Sequence, residues 1–184
     1  KMNRGYHEIK EHGKREFPFN IYPCSIPVDF SHVALHWHEE MEIIAVKKGK
    51  GRITVDTVSY PVEEGDILAV FPGQLHAISC GNGERMEYEN IIFRLSMLMG
   101  DNGDGCTVHF LKPLQEGQAK NPVLIQRNQP DHEVFGKVIQ ELDRFSEIRG
   151  NGYQLAVKGQ LFLFLYYAYG RGILFAEKKP GHAR

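Results

Sequence analysis

Short runs of β-branched and aromatic residues before residue 113 constrain the fold of this chain more than any other feature. Short turns with Gly or Asp separate these runs, and no helical pattern lies between them. Neighbouring strands joined in this way pair antiparallel, in a sandwich or a barrel. The predicted strands are Glu42–Val46, Gly51–Val55, Val58–Val62, Asp66–Phe71, Leu75–Cys80 and Met86–Leu95, with Lys48–Gly51 as the first connection.

After residue 130 the apolar residues recur with a helical period instead. One predicted helix begins at Pro130 and Asp131, ends near Gly150, and carries an apolar stripe on one face. The stripe consists of Val134, Phe135, Val138, Ile139, Leu142 and Phe145. A second helix, Tyr153–Tyr169, begins amphipathic and then becomes apolar on all sides, so the sheet or a second copy of the chain must cover it.

Charge and cysteine content exclude several classes of protein. The 184 residues suit one domain, and 22 Lys plus Arg against 23 Asp plus Glu give a formal charge of −1. Such a chain has no general basic field with which to hold a phosphate backbone. Three cysteines without a Cys-x-x-Cys pair favour a reducing compartment, and we expect a cytoplasmic protein. The apolar run Leu161–Tyr169 is too short for a membrane span of about 20 residues.

A histidine-rich phrase holds the candidate site. His36 and His38 are two residues apart, so in a strand both side chains face the same side about 6.5 Å apart. Glu42 also lies an even number of residues from His36, and His76 follows on a later strand. Three imidazoles and a carboxylate would suit a divalent metal, which could be zinc, iron, nickel or manganese. The same residues could instead hydrogen-bond one another and water, or hold an organic ligand.

The spacing around these residues resembles the two motifs of the cupin superfamily, whose members are small jelly-roll barrels. His36 to Gly49 has the pattern H-x-H-x3-E-x6-G, and Gly65 to His76 has the pattern G-x7-G-x2-H. The resemblance implies that His36, His38, Glu42 and His76 are the metal ligands.

A narrower resemblance covers nearly the whole chain. It is to the amino-terminal sensor domain of AraC-family transcription regulators. The phrases that carry it are Phe17–Phe19, His36–Ile44, Gly65–Asp66, Pro72–His76 and Phe110–Leu114. The resemblance implies a mainly β fold, with a cupin-like jelly-roll β-barrel and an N-terminal arm in residues 1–113. Residues 114–184 would hold two α-helices that form a homodimer, and then a linker.

The same resemblance implies that a small-molecule effector binds in the barrel. DNA would be bound only through a C-terminal helix-turn-helix region that is not in this chain. We expect the effector site to include the histidine cluster at one end of an apolar pocket. The pocket residues are Ile44, Val46, Leu68, Val70 and Ile78.

The main alternative is a metal-dependent cupin enzyme, such as a dioxygenase, an isomerase or a lyase. The helical tail, which contributes to assembly and not to chemistry, favours the sensor, and we assign no catalytic residue. Trp37 should face away from the cluster, against the N-terminal segment or a helix. Arg52 and Arg94 could steer an anionic ligand, although strand arginines usually face solvent. Residues 176–184 are predicted to be a polar trailing segment.

Overall fold

The computed structural model describes residues 4–176, so all but the first residue of the predicted trailing segment lies outside the described residues. Eight strands precede or flank three α-helices in this part of the chain. The strands are β1 (Phe19–Ile26), β2 (Val33–His36), β3 (Met41–Val55), β4 (Val58–Glu63), β5 (Ile67–Val70), β6 (His76–Ser79), β7 (Met86–Phe93) and β8 (Val123–Ile125). The helices are α1 (Lys112–Gln115), α2 (His132–Ile148) and α3 (Tyr153–Gly170), and shorter helical turns lie at Arg4–Tyr6, Leu95–Leu98 and Thr107–Leu111.

The longest strand, β3, joins the two sheets. Its first half pairs with β5 and β7, and its second half pairs with β4 and β6. The strand passes from one sheet to the other at Gly49. The φ of this residue is +77°, and a Cβ there would collide with the carbonyl oxygen of Arg85. Glycine is therefore required at this position. The prediction of two strands separated by a turn at Lys48–Gly51 is wrong, because these residues continue one strand, and the register shift in its pairing with β7 falls just before them, between Val46 and Lys48.

One sheet has the order β1-β7-β3-β5-β8, and the other consists of β2, β6, β4 and the second half of β3. The mainly β fold with two C-terminal helices is confirmed. The difference lies in closure, because the strand pairings among the described residues do not return to their starting strand. The expected closed barrel is instead a pair of packed sheets that share a bent strand.

Two apolar cores lie on opposite faces of the first sheet. Ile43 and Ala45 face a core that includes the helices, whereas Ile44 and Val46 face the core between the two sheets. All four side chains are at most 4% exposed. The unbroken apolar run in this half of β3 therefore reflects burial on both faces.

The two long helices have the predicted bounds to within a few residues. Phe135 of α2 packs between Phe164 and Tyr167 of α3, with ring centroids 5.3 and 5.7 Å apart. The segment after residue 113 also supplies β8, which pairs with β5 and was not predicted. No helix in the described part of the chain is both long and apolar enough to cross a bilayer.

Candidate metal and ligand site

The four residues of the histidine cluster, His36, His38, Glu42 and His76, come together at one end of the space between the sheets. His36 ends β2 and lies directly opposite His76, the first residue of β6. Glu42 lies in β3, and His38 lies in the connection just before it. One potential ligand atom from each of the four residues lies within 4.8 Å of all the others. His38, Glu42 and His76 are at most 2% exposed, whereas the side chain of His36 is 18% exposed.

Backbone carbonyl groups orient all three imidazoles. The Nδ1 atoms of His36, His38 and His76 lie 2.8, 3.1 and 2.9 Å from the carbonyl oxygens of Ala34, Glu40 and Gln74. A carbonyl oxygen only accepts hydrogen bonds, so each Nδ1 must carry the proton and donate it. In a neutral ring, Nε2 is then left with a lone pair for a metal.

The carboxylate of Glu42 lies against two of these Nε2 atoms. Its Oε2 is 2.8 Å from Nε2 of His38 and 3.0 Å from Nε2 of His76. With Nδ1 already protonated, a neutral ring would place a lone pair against a carboxylate oxygen. A positive charge, either a proton or a metal ion, must therefore lie at each contact.

The electrostatic balance of the cluster favours an ionised carboxylate. Burial alone would raise the pKa of Glu42, but the charges and hydrogen bonds of His76 and His38 outweigh burial and hold this pKa well below its usual range. Burial would likewise lower the pKa of His38, yet Glu42 raises it. Burial and repulsion by His76 lower the pKa of His36. A buried carboxylate facing imidazoles is a set of donors that suits a divalent cation.

The residues fit a metal in donor type and nearly in spacing. Ligands about 2.1 Å from an ion can lie no more than about 4.2 Å apart. The 4.8 Å spread of the four potential ligand atoms would thus have to contract by less than an ångström. His36, whose side chain is 18% exposed, is the least enclosed of the four ligands.

The N-terminal segment covers the exposed edge of the cluster. Oε2 of Glu8 lies 3.5 Å from Nε2 of His36. Backbone hydrogen bonds join Trp37 to Tyr6 and Glu8, and the ring of His7 stacks on Trp37 at 4.1 Å. The predicted packing of Trp37 against the N-terminal segment is confirmed. Sequence reasoning missed Glu8, because this segment has no hydrophobic period.

Glu40 is a second residue that the sequence analysis missed. It is 3% exposed, and its Oε1 accepts a 2.9 Å hydrogen bond from Nε of Arg94. The sequence did contain a pattern that includes Glu40, since Glu40 lies an even number of residues from His36, His38 and Glu42. Arg94 therefore anchors a buried carboxylate beside the cluster, while Arg52 is an exposed residue of β3.

The five predicted pocket residues lie together in the core between the sheets. They pack with Met86 and Tyr88, and the effector assignment remains a prediction. The residues are Ile44, Val46, Leu68, Val70 and Ile78, all at most 3% exposed.

The hydroxyl of Tyr88 lies in the same core and was also missed. It is buried and has no nitrogen or oxygen hydrogen-bond partner among the described residues. The Cys24 thiol, a weak hydrogen-bonding group, lies beside it. An unpaired buried hydroxyl costs free energy, and a polar group on a ligand could recover it.

Two packed sheets around a cluster of three His and one Glu define a small binding domain with helices on one side. Residues 27–165 match the model of the AraC-like ligand binding domain family, and the chain belongs to that family.

The individual relatives that the chain matches are similar to it at low sequence identity. The uncharacterized HTH-type transcriptional regulator YdeC of Bacillus subtilis is 27% identical over 88 residues. The match covers 47% of this chain and 30% of that protein, so the chain spans less than a third of the length of this curated relative.

Among solved structures, ToxT from Vibrio cholerae O395 has a TM-score of 0.49 and 16% identity, over 86% of this chain and 56% of the other. A cupin 2 conserved barrel domain protein from Salinispora arenicola CNS-205 has a TM-score of 0.39 and 23% identity, over 44% of this chain and 66% of the other.

Proposed function

We propose that this chain is the sensing and dimerising part of a longer cytoplasmic transcription regulator. The enclosed cluster of three imidazoles and a carboxylate is the observation that carries the proposal. Family membership and the similarity to a relative named as an HTH-type regulator support it. Because the chain has a formal charge of −1, DNA would be held by a separate helix-turn-helix region of the longer protein.

The cluster would hold a divalent metal through His36, His38, Glu42 and His76. A bound ion supplies Lewis acidity, which would polarise a carbonyl or carboxylate on an effector. The chain's own contribution is orientation, since the backbone carbonyls fix each ring and Glu42 supplies the compensating charge. The partly exposed side of His36 is where an effector could reach the metal.

The effector would place an apolar body among the five predicted pocket residues and a polar head at the cluster. Tyr88 would donate a hydrogen bond from its buried hydroxyl. For such a ligand to act as a signal, it must bind one conformation better than another. The side chains of this core are already buried against one another, so entry requires side chains to move, and this movement is the difference that a ligand would stabilise.

Dimerisation would use the outer face of α3. Leu155, Phe162, Leu163 and Tyr166 lie on one stripe of this helix and are between 40% and 79% exposed. A contiguous apolar stripe of this kind is typical of an interface between copies.

The metal claim is tested by elemental analysis and by calorimetric titration with Mn²⁺, Ni²⁺ and Zn²⁺. We expect close to one equivalent bound to the wild-type protein, and loss of the site in Glu42→Gln, which keeps the shape of the side chain. His109→Ala removes a histidine outside the cluster and is the matched control. If the wild-type protein binds less than about a tenth of an equivalent of each metal, the cluster is a polar ligand pocket without metal.

The regulator itself is tested on the longer protein. We expect effector-dependent retardation of operator DNA by that protein, and no retardation by residues 1–184 alone. A metal-dependent enzyme is the second candidate, and the opening at His36 is the observation that favours it. Turnover of a small oxygen-rich substrate, abolished by Glu42→Gln and unaccompanied by DNA binding of the longer protein, would support the enzyme instead.

A further inference from the structure

A cavity lies outside the space between the sheets and does not involve the histidine cluster. Its volume is about 370 Å³. It forms where four connections meet, namely those that follow β2, β5, β7 and α1. Its walls include Trp37, Glu39, Pro72, Arg94, Leu95 and Glu116.

Arg94 is the cationic side chain of this cavity, and a hydrogen bond to Glu40 holds it in place. Its Nε donates to the buried carboxylate of Glu40 at 2.9 Å. The two Nη groups have no hydrogen-bond partner among residues 4–176, and the side chain is 48% exposed. A guanidinium fixed through Nε presents a planar pair of donors, the arrangement that a carboxylate accepts on both oxygens.

Two acidic side chains, Glu39 and Glu116, lie on the other sides of the same cavity. Both are exposed, and neither forms an ion pair among the described residues. Glu116 accepts a hydrogen bond from Gln118, which is a neutral partner. With one fixed cation and two carboxylates, the cavity would repel a simple anion but would match a ligand that carries both charges.

The remaining wall is uncharged. Trp37, Pro72 and Leu95 supply aromatic and aliphatic surface between the charged groups. Mixed walls of this kind, with a few fixed polar groups, are typical of small-molecule sites, and 370 Å³ lies within their usual range. From these three features we infer that the cavity binds a free amino acid with an uncharged side chain. Arg94 holds its carboxylate, Glu39 and Glu116 attract its ammonium group, and the side chain lies against Trp37.

The only tryptophan of the chain gives a direct readout, since Trp37 lines the cavity. The probe is L-leucine, titrated against the fluorescence of the intact chain to about 20 mM, where even a millimolar site is filled. We expect a saturable change. We also expect binding at least about tenfold weaker for 3-methylbutylamine, which lacks the carboxylate, and for 4-methylpentanoate, which lacks the amine. An absent response to leucine, or equal responses to the three compounds, overturns the inference.

Substitutions test whether the fluorescence change comes from leucine bound in this cavity. Arg94→Lys keeps a cation for Glu40 but removes the planar pair of donors, and we expect at least about a tenfold loss of leucine affinity. Arg85→Lys, an exposed arginine outside the cavity, is the matched control and should bind as the wild type does. Glu39 is exposed, so Glu39→Gln tests the contact with the ammonium group even if Arg94→Lys unfolds. Unchanged affinity in Glu39→Gln, or in folded Arg94→Lys, would refute the assignment. Because Glu39 belongs neither to the histidine cluster nor to the Arg94–Glu40 pair beside it, the Glu39→Gln result is independent of metal binding there.

Discussion

Glu40 contacts His38 in two ways. The Nδ1 atom of His38 lies 3.1 Å from the backbone carbonyl oxygen of Glu40 and 3.7 Å from its carboxylate. The same carboxylate accepts a hydrogen bond from Arg94, so a buried negative charge is fixed behind the ring that faces Glu42. Carboxylates in this position hold a ligating imidazole in one orientation and increase its basicity.

We therefore expect Glu40→Gln to weaken metal binding at the cluster by at least about tenfold without removing a ligand. The substitution keeps the backbone carbonyl and the size of the side chain but removes the charge. Calorimetric titration with Ni²⁺ measures the change. Glu39→Gln, an exposed neighbour, should bind as the wild type does, and equal affinities for the two variants would show that Glu40 has no positioning role.

Metal affinity should increase with pH. Ligation needs a free Nε2 lone pair, and Glu42 raises the pKa of His38 above its usual value of 6.5. The proton therefore competes with the metal at neutral pH and is lost as the pH rises through that raised pKa. Titrations between about pH 6 and about pH 8 should show two changes as the pH rises. The dissociation constant should fall, and fewer protons should be released for each ion bound. A dissociation constant that stays the same across this range would exclude His38 as a ligand.

Removal of the Tyr88 hydroxyl should stabilise the unliganded protein. The group is buried and has no nitrogen or oxygen partner among residues 4–176, with only the weakly bonding Cys24 thiol beside it, so Tyr88→Phe removes a desolvation cost of about 1–3 kcal/mol while keeping the ring. Tyr22→Phe is the opposite case, because the Tyr22 hydroxyl lies 3.0 Å from Nδ1 of His12. We expect Tyr22→Phe to lower the free energy of unfolding by about 1 kcal/mol. Urea denaturation measures both, and destabilisation by Tyr88→Phe would mean that this hydroxyl has a partner in solution.

The spacing of residues in the sequence was enough to predict the cluster, although no single strand carries it, because His36 ends β2, His38 lies in the connection and Glu42 lies in β3. It was not enough for β1, which contains polar residues and Pro23 and has a single partner strand. Nor could it separate a turn at Lys48–Gly51 from a continuous strand, since glycine with positive φ occurs in both. Glu8 reaches His36 through long-range pairing of the N-terminal segment, for which local pattern carries no information.

Adjacent residues in the first half of β3 should be equally sensitive to truncation. Ile43 and Ile44 are both fully buried, one against the helices and one between the sheets. We expect Ile43→Ala and Ile44→Ala each to lower the free energy of unfolding by about 2–5 kcal/mol. In a strand with one solvent face, only one of the two would do so. A small effect of Ile43→Ala would show that the helices do not pack on this sheet.

The apolar stripe on α3 should make the protein a dimer. Tyr166 is 71% exposed and lies one turn from Leu163, so a charge at either position would have to be buried in the interface. We expect sedimentation velocity to show a dimer for the wild-type chain and a monomer for Leu163→Glu with unchanged circular dichroism. Gln140→Glu places the same charge on an exposed position of α2 and should leave the dimer intact. A wild-type monomer at high concentration would contradict the assignment of this stripe as an interface between copies.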